Sequence, residues 1–297
     1  MNIGMIGASG LMGRGIASNL LAKGYALNIV AHRKRETIDA LKSQGATEVP
    51  SIQDLCFCDL VFLCVTGTPE VRACVLGEAG LLALGRSGLY VVDLSTCEPE
   101  STLELRHLCE AKGIKFIDAP LARGPRDAEQ GTLNVMVGAS TEELEVITPV
   151  LKTFTENIFH VGKAGSGHVV KLLHNFMGQV ICNAAAEAFA VSAKAGVDPQ
   201  KMVDVIGAGA VNSMLFQVFS KSLIGNFNSI QFQLDNARKD IRYYTHLAES
   251  LKVPALMGEA THQNLVMASA LGFGNDFVAS LVRAQEKIND VKISSLK

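Results

Sequence analysis

The chain has 297 residues, 48% of them hydrophobic and 19% charged, with a net charge of −2 at neutral pH. That length supports one large core or two ordinary ones, and the near-neutral balance, with no long basic face, excludes a nucleic-acid partner. The first residues already read as a strand and no apolar run approaches the roughly 18 residues of a membrane span, so neither a signal peptide nor a membrane segment is expected and a cytoplasmic location is.

Residues 2–6 form a short apolar strand, followed by the turn Gly7-Ala-Ser-Gly10-Leu11-Met12-Gly13 and by helical periodicity from Leu11 through Ile16 and Leu20 to Leu21. In such a strand–turn–helix unit Gly7 makes the tight turn, Gly10 lets the backbone approach a pyrophosphate, and Gly13 lets the helix pack closely, its N-terminus facing the anion. The spacing, GxxGxxG, is one residue longer than the usual fingerprint. A second strand at residues 26–31 leads into His32-Arg33-Lys34-Arg35, where an NAD site usually carries an acidic residue. Cations there suit a 2′-phosphate, with the Arg33 guanidinium offering planar bidentate contact, so NADP is expected over NAD. A solvated basic turn capping the strand is the alternative.

Further strand-length apolar runs, at residues 59–65, 88–93, 114–118 and 133–138, alternate with helical stretches. This pattern predicts parallel strands with crossover helices, an α/β Rossmann dinucleotide-binding domain over residues 1–163. From residue 164 the periodicity is helical throughout: a proline-free helix over 164–194, then 199–207, 213–223, 232–251, 254–271 and 277–288. The second part, 164–297, reads as an all-α domain for substrate binding and oligomerisation, and its first helix, whose periodic run of roughly 28 residues from Gly167 to about Ala195 spans about 42 Å, as the spine between the two.

Ligands of open α/β sheets bind beyond the carboxyl ends of the strands. Three loops there are expected to converge on the cofactor: Thr66-Gly-Thr-Pro69, Ser95-Thr96-Cys97-Glu98-Pro99, and Asp118-Ala-Pro120-Leu-Ala-Arg123-Gly124. Ser95 or Thr96 equally suits an N-cap for the helix after Pro99. On the long helix, Gly167, Lys171, Asn175 and Gly178 fall at intervals of four, four and three, hence on one face. The rest of the run is apolar, so the helix is expected to be buried around most of its circumference, with Lys171 pointing into a groove floored by glycines. A buried lysine needs a reason, unless it snorkels outward or pairs with a carboxylate. The seven cysteines are scattered without a C-x-x-C pair, and the seven histidines lack metal-ligand spacing, so neither a disulfide framework nor a metal site is expected.

The dinucleotide glycines, Asp93-Leu-Ser95-Thr96, Asp118-Ala-Pro120 with Gly131-Thr132-Leu133, Gly167-x-x-x-Lys171-x-x-x-Asn175, and Lys239-Asp240 occur in an order that resembles the β-hydroxyacid dehydrogenase family over nearly the whole chain. That family includes 3-hydroxyisobutyrate dehydrogenase, tartronate semialdehyde reductase and, more distantly, 6-phosphogluconate dehydrogenase. The resemblance implies a Rossmann domain joined to an all-α domain by a long helix, homodimers or homotetramers assembled through the helical part, and hydride transfer at a 3-hydroxy acid or its semialdehyde (EC 1.1.1.-). It implies Lys171 as the acid/base, Asn175 as a substrate-orienting partner, Ser95 as a substrate contact, and Lys239 and Asp240 at the cleft beside substrate and cofactor. Independently, hydride transfer to a carbonyl leaves an alkoxide, which a lysine ammonium can stabilise and protonate, and burial with nearby cations is expected to lower its pKa.

Where the family has Ser-Gly-Gly to cradle a carboxylate, this chain has Ala122-Arg123-Gly124. Arg123 either grips an anionic head group, as in the sulfolactaldehyde reductases that also resemble the chain here, or folds outward or onto Glu129. His174 stands beside Asn175 in place of the commoner asparagine and is expected to pack or bond locally. Two other functions remain open: a non-catalytic dinucleotide-binding regulatory protein, and an imine-type reductase, against which Lys171 argues.

Overall fold

The computed structural model describes residues 1–31 and 34–294, and the chain divides into two compact units between Lys171 and Leu172. In the first, the order is β1 (Asn2–Ile6), α1 (Gly13–Ala22), β2 (Ala26–Val30), α2 (Arg35–Ser43), β3 (Thr47–Val49), β4 (Leu60–Leu63), α3 (Thr68–Leu76), α4 (Leu81–Leu84), β5 (Tyr90–Asp93), α5 (Pro99–Glu110), β6 (Lys115–Asp118), β7 (Leu121–Ala122), α6 (Pro125–Gln130), β8 (Leu133–Gly138), α7 (Thr141–Leu151) and β9 (Thr155–Gly162). Helix α8 (Ser166–Lys194) contains the division, and α9 (Pro199–Gly207), α10 (Met214–Ser220), α11 (Leu234–Ser250), α12 (Leu256–Ala268) and α13 (Leu281–Asn289) follow it.

The strands lie in the order β3-β2-β1-β4-β5-β6-β8-β7, with β9 pairing β8. Strands β1 to β6 pair in parallel, the doubly wound arrangement expected from the alternating pattern. Both faces of this sheet are covered, which explains the continuous apolar runs. Along β4, Leu60 and Phe62 enter one core with Ile3, Met5 and Val92, while Val61 and Leu63 enter the other with Val91 and Phe116.

The all-parallel expectation fails at one edge. Strand β8 runs antiparallel to β6 and β7. Only the six-residue α6 and a turn separate β7 from β8, too little chain for the crossover that a parallel return requires. The sequence also hid β3, β7 and β9: the first two have three and two residues, and β9 (TENIFHVG) is a largely solvent-facing strand without an apolar run.

In the second unit α8 contributes Cys182, Ala186 and Phe189 to a core with Phe219, Ile241 and Leu265. Burial around most of the helix circumference does not hold. Leu173, Met177 and Val191 are 45%, 60% and 63% exposed, and Lys171 is half-buried, because within each unit α8 is packed on part of its surface only. By length and composition α8 is also long and apolar enough to cross a membrane, contrary to the sequence expectation, with 44% of that window buried inside the protein.

Candidate active site

The glycine loop after β1 folds as a tight turn closed by Gly10 N donating to Gly7 O at 2.9 Å, and α1 begins at Gly13 rather than Leu11. Gly7 sits at φ +92°, and a Cβ there would lie 2.1 Å from the Cys64 carbonyl, so only glycine fits. A Cβ on Gly13 would stand 2.1 Å from Gly7 O, which is how close the helix start comes to the strand end. The positive end of the α1 dipole beside this bare-backbone turn makes it a cradle for an anion, and the residues present fit a dinucleotide pyrophosphate. Gly13→Ala pits a methyl against backbone that cannot swing away. Its expected result is at least a tenfold loss of nicotinamide-dinucleotide affinity by calorimetric titration, with stability lowered by about 1–3 kcal/mol.

Leu11 is exposed and Met12 half-buried within the loop. Arg33, with His32, lies outside the described residues. Their neighbour Arg35 does not extend the cationic turn toward a ligand. Its guanidinium grips Glu48 on β3 bidentately at 2.6 and 2.7 Å and Asp39 at 2.6 Å, which holds the half-buried Glu48 carboxyl down at about 2.

The loops beyond β4 and β5 are stitched together. Val65 N donates to Ser95 Oγ at 3.0 Å, Glu98 N donates to Thr68 Oγ1 at 2.9 Å, and Ser95 N donates to Asp93 Oδ1 at 2.9 Å. Ser95 is therefore buried, its oxygen already an acceptor and its hydroxyl hydrogen left as the group that can reach a ligand. It is not an N-cap: Glu98 occupies that position before Pro99 and supplies no side-chain cap. Thr96 is half-buried and Thr66 exposed at the same end of the sheet.

The start of α8 is fixed by a carboxylate from the end of β6. Asp118, fully buried, accepts from Gly165 N at 2.7 Å and His168 N at 3.0 Å, capping the helix from outside its own segment. Burial pushes the Asp118 carboxyl above its ordinary range despite these bonds. A Cβ on Gly167 would lie 2.5 Å from Met136 O and 2.8 Å from Asp118 Oδ2, and one on Gly138 2.6 Å from Asp118 Oδ1. Gly167 thus admits the capping carboxylate and the close approach of β8, which replaces the expected glycine-floored groove around Lys171. The His168 ring, with no exposed surface, lies 2.7 Å from Thr102 Oγ1 through Nδ1 and 3.2 Å from Ser95 O through Nε2. Sequence reasoning overlooked His168 and Thr102; a polar ring inside the apolar run Gly-His-Val-Val-Lys was the available signal.

Asp93, Cys97 and His168 each bring one potential ligand atom within 4.8 Å of the others, a cluster that metal-ligand spacing in the sequence did not suggest. Cys97 Sγ donates to Asp93 Oδ2 at 3.4 Å.

In the second unit Asn175, four residues after Lys171 on α8, is buried and donates through Nδ2 to Asp240 Oδ2 at 2.6 Å, while its Oδ1 lies 3.1 Å from His174 Nδ1. Asp240 also pairs with Lys239 Nζ at 2.8 Å, and that ammonium stands 4.6 Å over the Tyr243 ring. Asn175, Lys239 and Asp240 thus come together.

Arg123 adopts φ +76°, the left-handed region that favours glycine, and its Nη1 donates to Thr132 O at 2.5 Å and to Glu156 on β9. The expected Glu129 partner is instead bound to Arg14, since Gly15 lets α1 close onto α6 at Ala128. Gly124 N donates to Asp127 Oδ2 at 3.0 Å, so Gly124 opens α6.

Comparison with known proteins covers both units. Residues 2–162 match the family pattern described as the NAD binding domain of 6-phosphogluconate dehydrogenase, and residues 165–284 that described as NAD-binding of NADP-dependent 3-hydroxyisobutyrate dehydrogenase. The chain is 31% identical to 2-(hydroxymethyl)glutarate dehydrogenase of Eubacterium barkeri, covering 99% of this chain and 98% of that one. It is 28% identical to 2-hydroxy-3-oxopropionate reductase of Escherichia coli over 99% of this chain and all of that protein. The crystal structure of 3-hydroxyisobutyrate dehydrogenase from Salmonella typhimurium matches with TM-score 0.84 and 25% identity, covering 95% of this chain and 99% of that chain.

Proposed function

The chain belongs to the β-hydroxyacid dehydrogenase family, nicotinamide-dependent oxidoreductases of hydroxy acids, and from that premise we propose that it interconverts a small 3-hydroxy acid and its semialdehyde with NADP(H), Lys171 serving as acid/base. The observation that carries this reading is the pinned first turn of α8. Asp118 holds Gly165 N and His168 N, which fixes Lys171 one turn further along the same helix. When bound, the nicotinamide supplies or accepts the hydride. The Lys171 ammonium then stabilises the alkoxide oxygen and gives it a proton in reduction, and the amine takes that proton back in oxidation. Asn175, its amide oriented by Asp240, directs a hydrogen bond to the substrate, and the Ser95 hydroxyl donates a second. The glycine loop from Gly7 to Gly13 holds the pyrophosphate through backbone N–H groups. Lys34 and Arg33, with no acidic residue in the segment 31–35 after β2, support NADP as the preferred cofactor.

Arg123 narrows the substrate. A non-glycine residue in the left-handed region costs roughly 1–3 kcal/mol, and keeping an arginine there supports a role for its guanidinium. The name of the Eubacterium barkeri relative specifies a hydroxy acid with a second carboxylate, which agrees with a substrate carrying an anionic tail that takes over Glu156's place on Arg123.

The test is NADPH and NADH oxidation by the purified protein against glyoxylate and against semialdehydes with and without a second carboxylate, phosphonate or sulfonate, for wild type and Arg123→Gly. Relief of backbone strain and loss of an exposed ion pair nearly cancel, so the variant's stability should stay within about 1 kcal/mol of wild type. Its kcat/KM on the doubly anionic substrates should fall about 30- to 100-fold, and on glyoxylate less than threefold. Equal losses on both sink the anionic-tail reading. Failure to reduce any aldehyde overturns the reductase reading itself.

A further inference from the structure

Both ring nitrogens of His168 have a polar partner. The Ser95 carbonyl, 3.2 Å from Nε2, can only accept, so Nε2 carries the proton. Nδ1 faces the Thr102 hydroxyl at 2.7 Å, and that hydroxyl also lies 3.2 Å from the Glu98 carbonyl. The same proton on Nε2 opposes a metal at the Asp93–Cys97–His168 cluster, where that nitrogen would have to offer a bare lone pair. The ring therefore joins three segments inside the first unit: the loop after β5 through Ser95, helix α5 through Thr102, and the first turn of α8, whose backbone at His168 is held in turn by Asp118.

Lys171 lies three residues beyond His168, one turn along α8. The glycine contacts and the Asp118 cap fix where the helix starts, and the imidazole fixes its rotation, because a ring bonded at both nitrogens cannot turn without breaking one of them. We propose that His168 is a positioning residue that locks the Ser95-Thr96 loop and the Lys171 turn of α8 into one fixed relation, so that Ser95 and Lys171 are in register before the substrate arrives. The proposal rests on Lys171 being the acid/base. Misplacement of a reacting group by about 1 Å costs on the order of 10²-fold in rate, and removal of a residue that orients another typically costs 10- to 100-fold.

The experiment compares wild type, His168→Gln, His168→Phe, Thr102→Val and Lys171→Ala by steady-state kinetics with NADPH and the best aldehyde, alongside NADPH affinity, thermal unfolding and zinc content. Gln can restore the donor to the Ser95 carbonyl, Phe restores shape without either bond, and Val removes only the Thr102 hydroxyl. A positioning role gives kcat reduced about 10- to 100-fold in His168→Phe, partial rescue in His168→Gln, a smaller drop in Thr102→Val, and KM and NADPH affinity within about threefold of wild type. Equal activity in His168→Phe and wild type overturns the proposal. So does a loss of kcat in Thr102→Val and His168→Gln that merely follows the fraction unfolded at the assay temperature. Zinc bound one-to-one by wild type and lost from His168→Gln overturns the proton assignment and the proposal with it. If Lys171→Ala retains wild-type turnover, the acid/base reading has failed independently, a result distinguishable from every pattern above.

Discussion

Lys171→Ala should lose turnover almost completely, kcat for NADPH-dependent aldehyde reduction falling about 10³- to 10⁴-fold, while NADPH affinity stays within about twofold and the protein remains folded. Under the proposed acid/base role the magnitude combines two functions of one ammonium, proton donor and electrostatic partner of the developing alkoxide, each contributing on the order of 10²-fold or more. Cofactor binding is spared because the glycine loop and the turn after β2 are separate segments from the α8 start. The fold is spared because Lys171 is only half-buried and the cap of α8 is provided by backbone N–H groups and Asp118. Lys171→Arg should not restore activity, since a guanidinium keeps its charge but does not give up its proton. Steady-state kinetics with calorimetric titration of NADPH decides the matter: a Lys171→Ala enzyme with more than a tenth of wild-type kcat would remove Lys171 from the chemistry.

Asp118→Ala carries the largest expected cost to stability, about 3–5 kcal/mol at neutral pH. It strands two buried N–H groups, Gly165 and His168, each worth roughly 1–3 kcal/mol when left without an acceptor. It also leaves a void where Gly138 and Gly167 have made room for a carboxylate. Asp118→Asn should cost less, because one amide oxygen still accepts while the NH₂ faces the other donor. The acid and the amide also separate by pH. Burial raises the Asp118 pKa in the folded protein above that of the unfolded chain, so wild type holds this proton more tightly when folded and loses stability as pH rises from about 4 through the folded value. Asp118→Asn has no such proton and should lack that slope. Chemical denaturation of both proteins at a series of pH values measures it, and parallel curves would show that Asp118 titrates alike in the folded and unfolded states.

The sequence by itself determined the elements whose cause is local. The glycine turn after β1 was legible because Gly7 needs a positive φ and Gly13 a bare Cα, constraints written at single positions. The parallel strands β1, β2, β4, β5 and β6 showed as continuous apolar runs because both faces of the sheet are covered, and α8 showed as a long stretch without proline. The motif order from Gly7 to Asp240 carried the family, and on it rest the roles proposed for Lys171 and Asn175. What only the tertiary structure decided depends on residues far apart in the chain. The antiparallel turn of β8 follows from how little chain lies between it and β7. Arg123 faces Glu156 across 33 residues, and Arg35 is drawn away from the cofactor turn by Glu48 on a strand too short to see. Asp118 capping α8 across 47 residues, and His168 bonding Thr102 and Ser95 across 66 and 73, leave no periodic trace, because a buried hydrogen bond needs one donor and one acceptor at a distance that the fold alone supplies.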